Sequence, residues 1–208
     1  MAIEKILTNF LSKGIGTKWF IISTVGKLDK SCCVKSNIEV IDFDEAEILH
    51  RDKCGASSLK SCDALKFLPK DKRIDFIEMK SSKNILKNPK IDTKDKLKNQ
   101  IAKFDFVNKI SDSLHILTAI SNRKEINLSG AERKLLKSIP KQAILLTDLD
   151  FEENTINTIA FTLDFLANTS TDLKDLLQGE IEKIGEDTLN NLLKPILMDC
   201  STFERYYT

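Results

Sequence analysis

Three charged residues near the middle of the chain have a spacing that suggests chemistry. Asp63 opens one apolar segment, and Glu78 and Lys80 close the next one. Asp63 lies five residues before Leu68, where the first segment ends, and Glu78 lies five residues after Arg73, where the second begins. If the two segments are antiparallel strands joined by a short turn, the three side chains meet at one end of the sheet.

Two carboxylates and an amine in one place favour a particular reaction. Mg²⁺ or Mn²⁺ binds oxygen ligands, polarises a phosphodiester oxygen and lowers the pKa of a bound water. A lysine beside the ion can orient that water or offset charge on the phosphorus. The pattern therefore predicts metal-dependent phosphodiester hydrolysis, with Asp63 and Glu78 as metal ligands and Lys80 as a third catalytic residue. The structural alternative is a surface ion pair on an edge strand.

The elements that would position these residues follow from the spacing of apolar side chains. Segment 73–80 is apolar on both faces, as in a central strand, with Glu78 and Lys80 on the same face at its carboxyl end. The sequence predicts this order of elements: helix 3–12, strands 18–25 and 31–43, helix 44–51, strands 62–68 and 73–80, helices 93–122 and 131–138, strand 142–149, and helices 151–167, 173–184 and 188–198.

Composition indicates a globular α/β protein. The 208 residues are 41% hydrophobic and 30% charged, with seven glycines and four prolines. We expect residues 1–150 to form the core with an N-terminal β-hairpin, and residues 151–208 to form an acidic helical extension packed on the same domain. No apolar run is long enough to span a membrane. Without a signal sequence or paired cysteines, the five cysteines are expected to be reduced thiols of a cytoplasmic protein.

Charge is distributed unevenly along the chain. Residues 66–109 carry thirteen basic and six acidic residues, a difference of +7, whereas residues 151–208 carry four basic and eleven acidic residues, a difference of −7. A positive face of this kind can bind phosphates although the whole chain has a net charge of +1. We therefore expect a nucleic-acid partner near the basic segment and a possible protein partner at the acidic helices.

Asp63 and the segment Ile74-Asp75-Phe76-Ile77-Glu78-Met79-Lys80 resemble the PD-(D/E)xK nuclease superfamily. Together with residues 58–65, the resemblance covers residues 44–148. It implies an α/β restriction-endonuclease-like mixed sheet flanked by helices, to which the C-terminal helices would add an extension. It also implies a Mg²⁺-dependent nuclease in bacterial defence or in a mobile element. DNA is the expected substrate, and RNA stays open as the alternative.

The same resemblance implies an acidic residue on the first helix of the core. Glu47, Glu45 and Glu4 are the candidates, because either helix 44–51 or helix 3–12 can be that first helix. Glu47 is favoured as a catalytic residue, since it is among the acids nearest to the Asp63 strand. On the long helix, similar proteins place a lysine and a small polar residue towards the site.

The resemblance accordingly implies substrate contacts for Lys60, Lys109 and Ser113; the last two lie four residues apart and share a helix face. A solvated helix surface is the structural alternative for that pair. For the whole protein, the alternative is a catalytically silent nuclease-fold module that serves as a protein-binding, immunity or regulatory subunit. Convergence of Asp63, Glu78 and Lys80 would favour the nuclease.

Overall fold

Six strands form one mixed sheet in the part of the chain that the structure describes. The structure is a computed structural model that describes residues 2–55, 57–88, 90–91, 93–149, 163–185 and 191–208, with backbone only for residues 2 and 163–172. The strands are β1 (Ile21–Thr24), β2 (Glu39–Asp42), β3 (Ala64–Leu68), β4 (Arg73–Lys80), β5 (Lys141–Thr147) and β6 (Leu192–Asp199).

The strands lie in the sheet in chain order. Neighbours from β1 to β4 are antiparallel, and a short turn joins β3 to β4, whereas β5 runs parallel to β4 and β6 runs parallel to β5. Parallel neighbours need long crossovers, and helices supply them. The carboxyl ends of β4, β5 and β6 therefore lie at one edge of the sheet.

Helices cover the sheet. They are α1 (Ala2–Gly16), α2 (Phe43–Cys54), α3 (Ser82–Leu86), α4 (Lys94–Ala102), α5 (Phe106–Ser121), α6 (Gly130–Ser138), α7 (Leu163–Glu182) and α8 (Cys200–Tyr207). Local signals set several of the ends: Asp42 caps α2, Gly55 ends it in a left-handed conformation, and Ser129 forms a capping box with Glu132 at α6. No helix among the described residues is long and apolar enough to cross a membrane.

The core lies on both faces of the sheet. On one face, Phe76 of β4 packs in a cluster with residues of α1, α2, α5 and α6, including Phe43 and Leu117. On the other face, Ile77 of β4 belongs to a cluster that includes Phe203 of α8. The sequence therefore predicts the alternation of β4 correctly, and the α/β class with a mixed sheet flanked by helices is confirmed.

The long helix predicted over residues 93–122 is two helices. Asp105 lies between α4 and α5 with a φ of 54°, a left-handed backbone conformation that an α-helix cannot contain. Asparagine and aspartate tolerate this conformation better than most residues, so the break has a local chemical basis.

The C-terminal region differs most from the sequence prediction. The helix predicted over residues 188–198 is wrong, because β6 occupies most of that segment and pairs with β5. Pro195 would disrupt a helix, but it is tolerated in β6, which is the last strand of the sheet. Most of the predicted helix 151–167 lies outside the described residues. The division of the chain at residue 150 stays a prediction.

Two cysteines do not match the prediction of reduced thiols. Cys33 and Cys200 form a disulfide that joins the loop before β2 to the start of α8. Cys32, Cys54 and Cys62 are free. The sequence offers no CxxC pair, and the two bonded cysteines are 167 residues apart, so only the fold shows that they meet.

Candidate metal and catalytic site

Asp63 lies directly opposite Glu78. The antiparallel register pairs Ala64 with Ile77, so Asp63, which precedes Ala64, faces Glu78, which follows Ile77. Asp63 is 3% exposed, and its Oδ2 accepts a hydrogen bond of 2.6 Å from the backbone amide of Met79. The predicted strand pairing is thus confirmed, and backbone geometry alone brings the two carboxylates together.

Two lysines share one oxygen of Glu78. Its Oε1 lies 2.5 Å from Nζ of Lys80 and 2.7 Å from Nζ of Lys109 on α5. The Lys80 ammonium also lies 5.3 Å from the ring centre of Phe104, in the turn between α4 and α5. Strand β4 therefore supplies the carboxylate and one amine, and the helix facing it supplies the second amine.

Each carboxylate keeps one oxygen without a hydrogen bond. Among the described residues, Oδ1 of Asp63 and Oε2 of Glu78 are buried and accept none. The ammonium of Lys30 lies 3.4 Å from Oδ1 of Asp63, as an ion pair. A buried charged oxygen without a hydrogen bond costs about 1–3 kcal/mol or more. Two oxygens on facing residues that accept no hydrogen bond from the described residues fit a divalent cation with oxygen ligands.

Burial and charge act in opposite directions at Glu78. Burial, followed by the nearby charge of Asp63, raises the pKa of Glu78, although Lys80 and Lys109 favour its ionised form. For Lys109, burial would lower the pKa, but attraction to Glu78 and Asp63 outweighs it and raises the pKa. The lysine therefore carries a charge at neutral pH, while the carboxylate is unusually easy to protonate.

Lys30 and Asp44 join the site, and sequence reasoning missed both. Nζ of Lys30 lies 2.5 Å from Oδ2 of Asp44, in the first turn of α2, and it also approaches Asp63. Burial opposes the charged form of Lys30, but hydrogen bonds and charges from the two aspartates raise its pKa. No periodic pattern marks Lys30, because it lies in the long connection between β1 and β2.

Glu47 is buried on α2 but is engaged elsewhere. Its Oε1 accepts a hydrogen bond of 3.1 Å from the amide of Leu59, and its Oε2 lies 3.6 Å from Arg51. Among the described residues, the carboxylate oxygens of Glu47, Asp63 and Glu78 do not all lie within 4.8 Å of one another, as they would around one ion. The structure thus links Asp44, rather than Glu47, to the site through Lys30.

The three predicted substrate contacts occupy different environments. Lys109 lies in the site, where its ammonium contacts Glu78. The exposed ammonium of Lys60, in contrast, pairs with Asp105. Ser113 is fully buried, and its hydroxyl accepts a hydrogen bond of 2.8 Å from the amide of Cys62. A substrate cannot reach a fully buried hydroxyl, so the prediction for Ser113 is corrected: it positions the segment that leads into β3.

In comparisons with known proteins, no family model, no curated protein and no solved structure matches the chain. The resemblance to the PD-(D/E)xK superfamily stays a prediction based on Asp63 and on residues 74–80. The chemistry must therefore be inferred from the geometry of Asp63, Glu78, Lys80 and their neighbours.

Proposed function

We propose that this chain is a nuclease that hydrolyses phosphodiester bonds with a divalent metal, in the manner of PD-(D/E)xK enzymes, and that its substrate is DNA rather than RNA. One observation carries the proposal: Asp63 and Glu78 face each other across β3 and β4, and each holds one buried oxygen that accepts no hydrogen bond from the described residues. A divalent cation would bind both oxygens, and at Oδ1 of Asp63 it would replace the ion pair with Lys30.

Each residue has a role that follows from its contacts. The Met79 amide holds Asp63 through Oδ2, which leaves Oδ1 for a metal. Lys80 and Lys109 hold Glu78 through Oε1, which leaves Oε2 for the same purpose. A bound Mg²⁺ or Mn²⁺ supplies Lewis acidity and an acidified water. Lys80 carries an ammonium at the strand end, where it can orient a water or stabilise negative charge on a phosphate.

The alternative is a catalytically silent module of the same fold that binds another protein. It is favoured by the ion pairs of Glu78, since Lys80 and Lys109 already compensate its charge without a metal. A site of this kind would need no ion to be stable. The two functions differ in whether Mg²⁺ binds and whether a nucleic acid is cut.

The decisive experiment is a cleavage assay on supercoiled plasmid with Mg²⁺, with Mn²⁺ and with a chelator. We expect metal-dependent nicking that falls by about 100-fold or more in both Glu78→Ala and Lys80→Ala, the size typical of losing a catalytic acid–base group. Calorimetric titration should show weaker Mg²⁺ binding in Glu78→Ala but near-normal binding in Lys80→Ala, because only the first removes a ligand.

Lys124→Ala and Glu125→Ala are matched controls, since both side chains are exposed and lie beyond the end of α5. They should cut as the unmodified chain does. Full activity in both Glu78→Ala and Lys80→Ala would refute the assignment of catalysis to this site. An unmodified chain that binds no Mg²⁺ and cuts neither DNA nor RNA would support the silent module.

A further inference from the structure

A second cluster of reactive side chains lies outside the carboxylate site. Cys32, Cys33 and Cys200 place their three sulfur atoms within 4.8 Å of one another. Cys33 is bonded to Cys200, and the sulfur of Cys32 lies 3.8 Å from that of Cys33. Within the described residues, this is the one group of three such side chains close enough to hold an ion.

The cluster lies at the end of the sheet where the carboxyl ends of β5 and β6 meet. Cys200 directly follows β6, and its sulfur lies 3.5 Å from the carbonyl oxygen of Thr147, the last residue of β5. The thiol of Cys32 donates to the carbonyl of Leu146 at 3.4 Å. The carboxyl edge of parallel strands is the usual place for ligands in α/β proteins.

A cavity gives access to this cluster. It has a volume of about 340 Å³, and all three cysteines line it, together with Lys83, Asp148 and Ser201 among others. An ion with its water could enter from solvent through this space. The cavity also leaves room for a ligand that the protein does not supply, as a three-residue site requires.

The third cysteine is not explained by the disulfide. A disulfide needs two sulfurs, and the sulfur of Cys32 adds a third at 3.8 Å from that of Cys33. A soft cation deprotonates a coordinating thiol outright. Three close sulfurs beside an open cavity therefore point to binding of a soft cation.

The distances fit zinc. Tetrahedral Zn²⁺ holds thiolates at about 2.3 Å, which places two sulfur ligands about 3.8 Å apart. That is the separation of the sulfurs of Cys32 and Cys33. Cys33 and Cys200, whose Cα atoms are 5.6 Å apart, need only give up their bond and separate slightly.

We propose that reduction of the Cys33–Cys200 bond converts this cluster into a site for one thiophilic cation, Zn²⁺, with Cys32, Cys33 and Cys200 as ligands and a water from the cavity as the fourth. A dithiol reductant supplies two electrons and two protons to the bond and leaves as its own disulfide. Zn²⁺ then displaces three protons, one from each thiol, into solvent. The loop at Cys32 stays joined to α8 in both states.

The test uses the full chain, reduced with a dithiol that is removed under argon before metal is added. Zn²⁺ binding is measured by competition with a chromophoric chelator, and Co²⁺ replaces it for absorption spectra. We expect one zinc per reduced chain, none at this cluster in the oxidised chain, and a thiolate-to-cobalt charge-transfer band. Cys32→Ser and Cys32→Ala should each weaken zinc binding by about 100-fold or more, as the loss of one of three ligands implies.

Both Cys32 variants keep the Cys33–Cys200 bond in the oxidised state, so circular dichroism of that state reports whether they fold. Cys54→Ser is the matched control, because Cys54 is a free cysteine at the end of α2, outside the cluster; its zinc affinity should not change. Glu78→Ala should also keep its zinc. The proposal is overturned if the reduced chain binds no zinc, if the Cys32 variants bind it normally, or if cobalt gives no thiolate band.

Discussion

Glu78 combines features that oppose one another. The side chain is buried, one of its oxygens contacts two ammonium groups, and the other accepts no hydrogen bond within the described part of the chain. A buried carboxylate without sufficient partners becomes easier to protonate, and its raised pKa reflects that cost. A proton and a divalent cation therefore compete for this carboxylate.

This competition predicts how Mg²⁺ binding depends on pH. Because the pKa of Glu78 is raised, the protonated form persists to a higher pH than for an ordinary glutamate, and a proton must leave before the metal binds. Mg²⁺ affinity should fall about tenfold for each pH unit below that pKa and level off above it. Calorimetric titrations over a series of pH values measure this. In Glu78→Gln, the Mg²⁺ affinity should be low and should not depend on pH in this way. A Mg²⁺ affinity that rises on acidification of the unmodified chain would contradict competition between the proton and the metal.

Elements on both sides of β4 hold the strand in place. Helix α5 lies on one side, where Lys109 contacts Glu78. One turn later on the same helix, the hydroxyl of Ser113 accepts a hydrogen bond from the amide of Cys62, the residue before Asp63. The C-terminal helix α8 lies on the other, where the hydroxyl of Tyr207 donates to Asp75. The alternation of β4 thus separates a candidate catalytic face from a face that binds α8.

The contact with α8 should contribute measurably to stability. Asp75 is fully buried; its Oδ2 accepts hydrogen bonds from the Tyr207 hydroxyl at 2.6 Å and from Arg73 at 3.1 Å. Tyr207→Phe removes one donor from a buried charged group, which should lower the free energy of unfolding by about 1.5–3 kcal/mol. Denaturant unfolding measures this change.

Tyr206→Phe is the matched control for that prediction. Tyr206 is the neighbouring tyrosine, 39% exposed, and its substitution should change stability by about 0.5 kcal/mol or less, as is usual for surface positions. Mg²⁺ binding should be similar in both variants, because Asp75 faces away from Glu78. Equal losses of stability in the two variants would show that the Asp75 contact is not what holds α8.

At the scale of the whole molecule, part of the basic segment 66–109 is used inside the fold. Lys66 donates to the carbonyl of Glu39, Arg73 binds Asp75, and two lysines bind Glu78. These groups are engaged by other parts of the fold, so they contribute less to an external phosphate surface. Fewer than the thirteen basic residues of this segment are therefore expected to contact a nucleic acid.

Four to six phosphate contacts from this segment predict a defined salt dependence. The plot of log K against log salt for duplex DNA should have a slope of roughly −3 to −5, since each neutralised phosphate contributes about 0.9. Fluorescence anisotropy with the Glu78→Ala variant measures binding without cleavage. Exposed Lys87 and Lys90 are suitable for substitution: changing both to glutamine should reduce the slope by up to about 2.

Lys124→Gln is the control here, because it lies outside the basic segment and should leave the slope unchanged. If binding is insensitive to salt, or if the chain binds neither DNA nor RNA at low salt, the basic segment is not a nucleic-acid surface. The acidic residues after position 150 would then be the better place to look for a protein partner.

The sequence by itself determined the elements that carry the site. Alternation along residues 73–80 predicts β4, and the equal distances of Asp63 and Glu78 from the intervening turn predict the register in which they face each other. Helix α2 and strand β5 also follow from local patterns. These predictions succeed because the interactions involved are between neighbours in the chain, so their geometry is fixed by residue spacing.

Only the tertiary structure decided the rest. The apolar spacing of residues 192–199 is compatible with a helix, but the same residues, including Pro195, also fit an edge strand. Pairing with β5 selects the strand. Lys30 reaches Asp63, and Cys33 reaches Cys200, across long stretches of chain. Such contacts leave no periodic signal, because the free energy that selects them comes from packing segments that are neighbours in space alone.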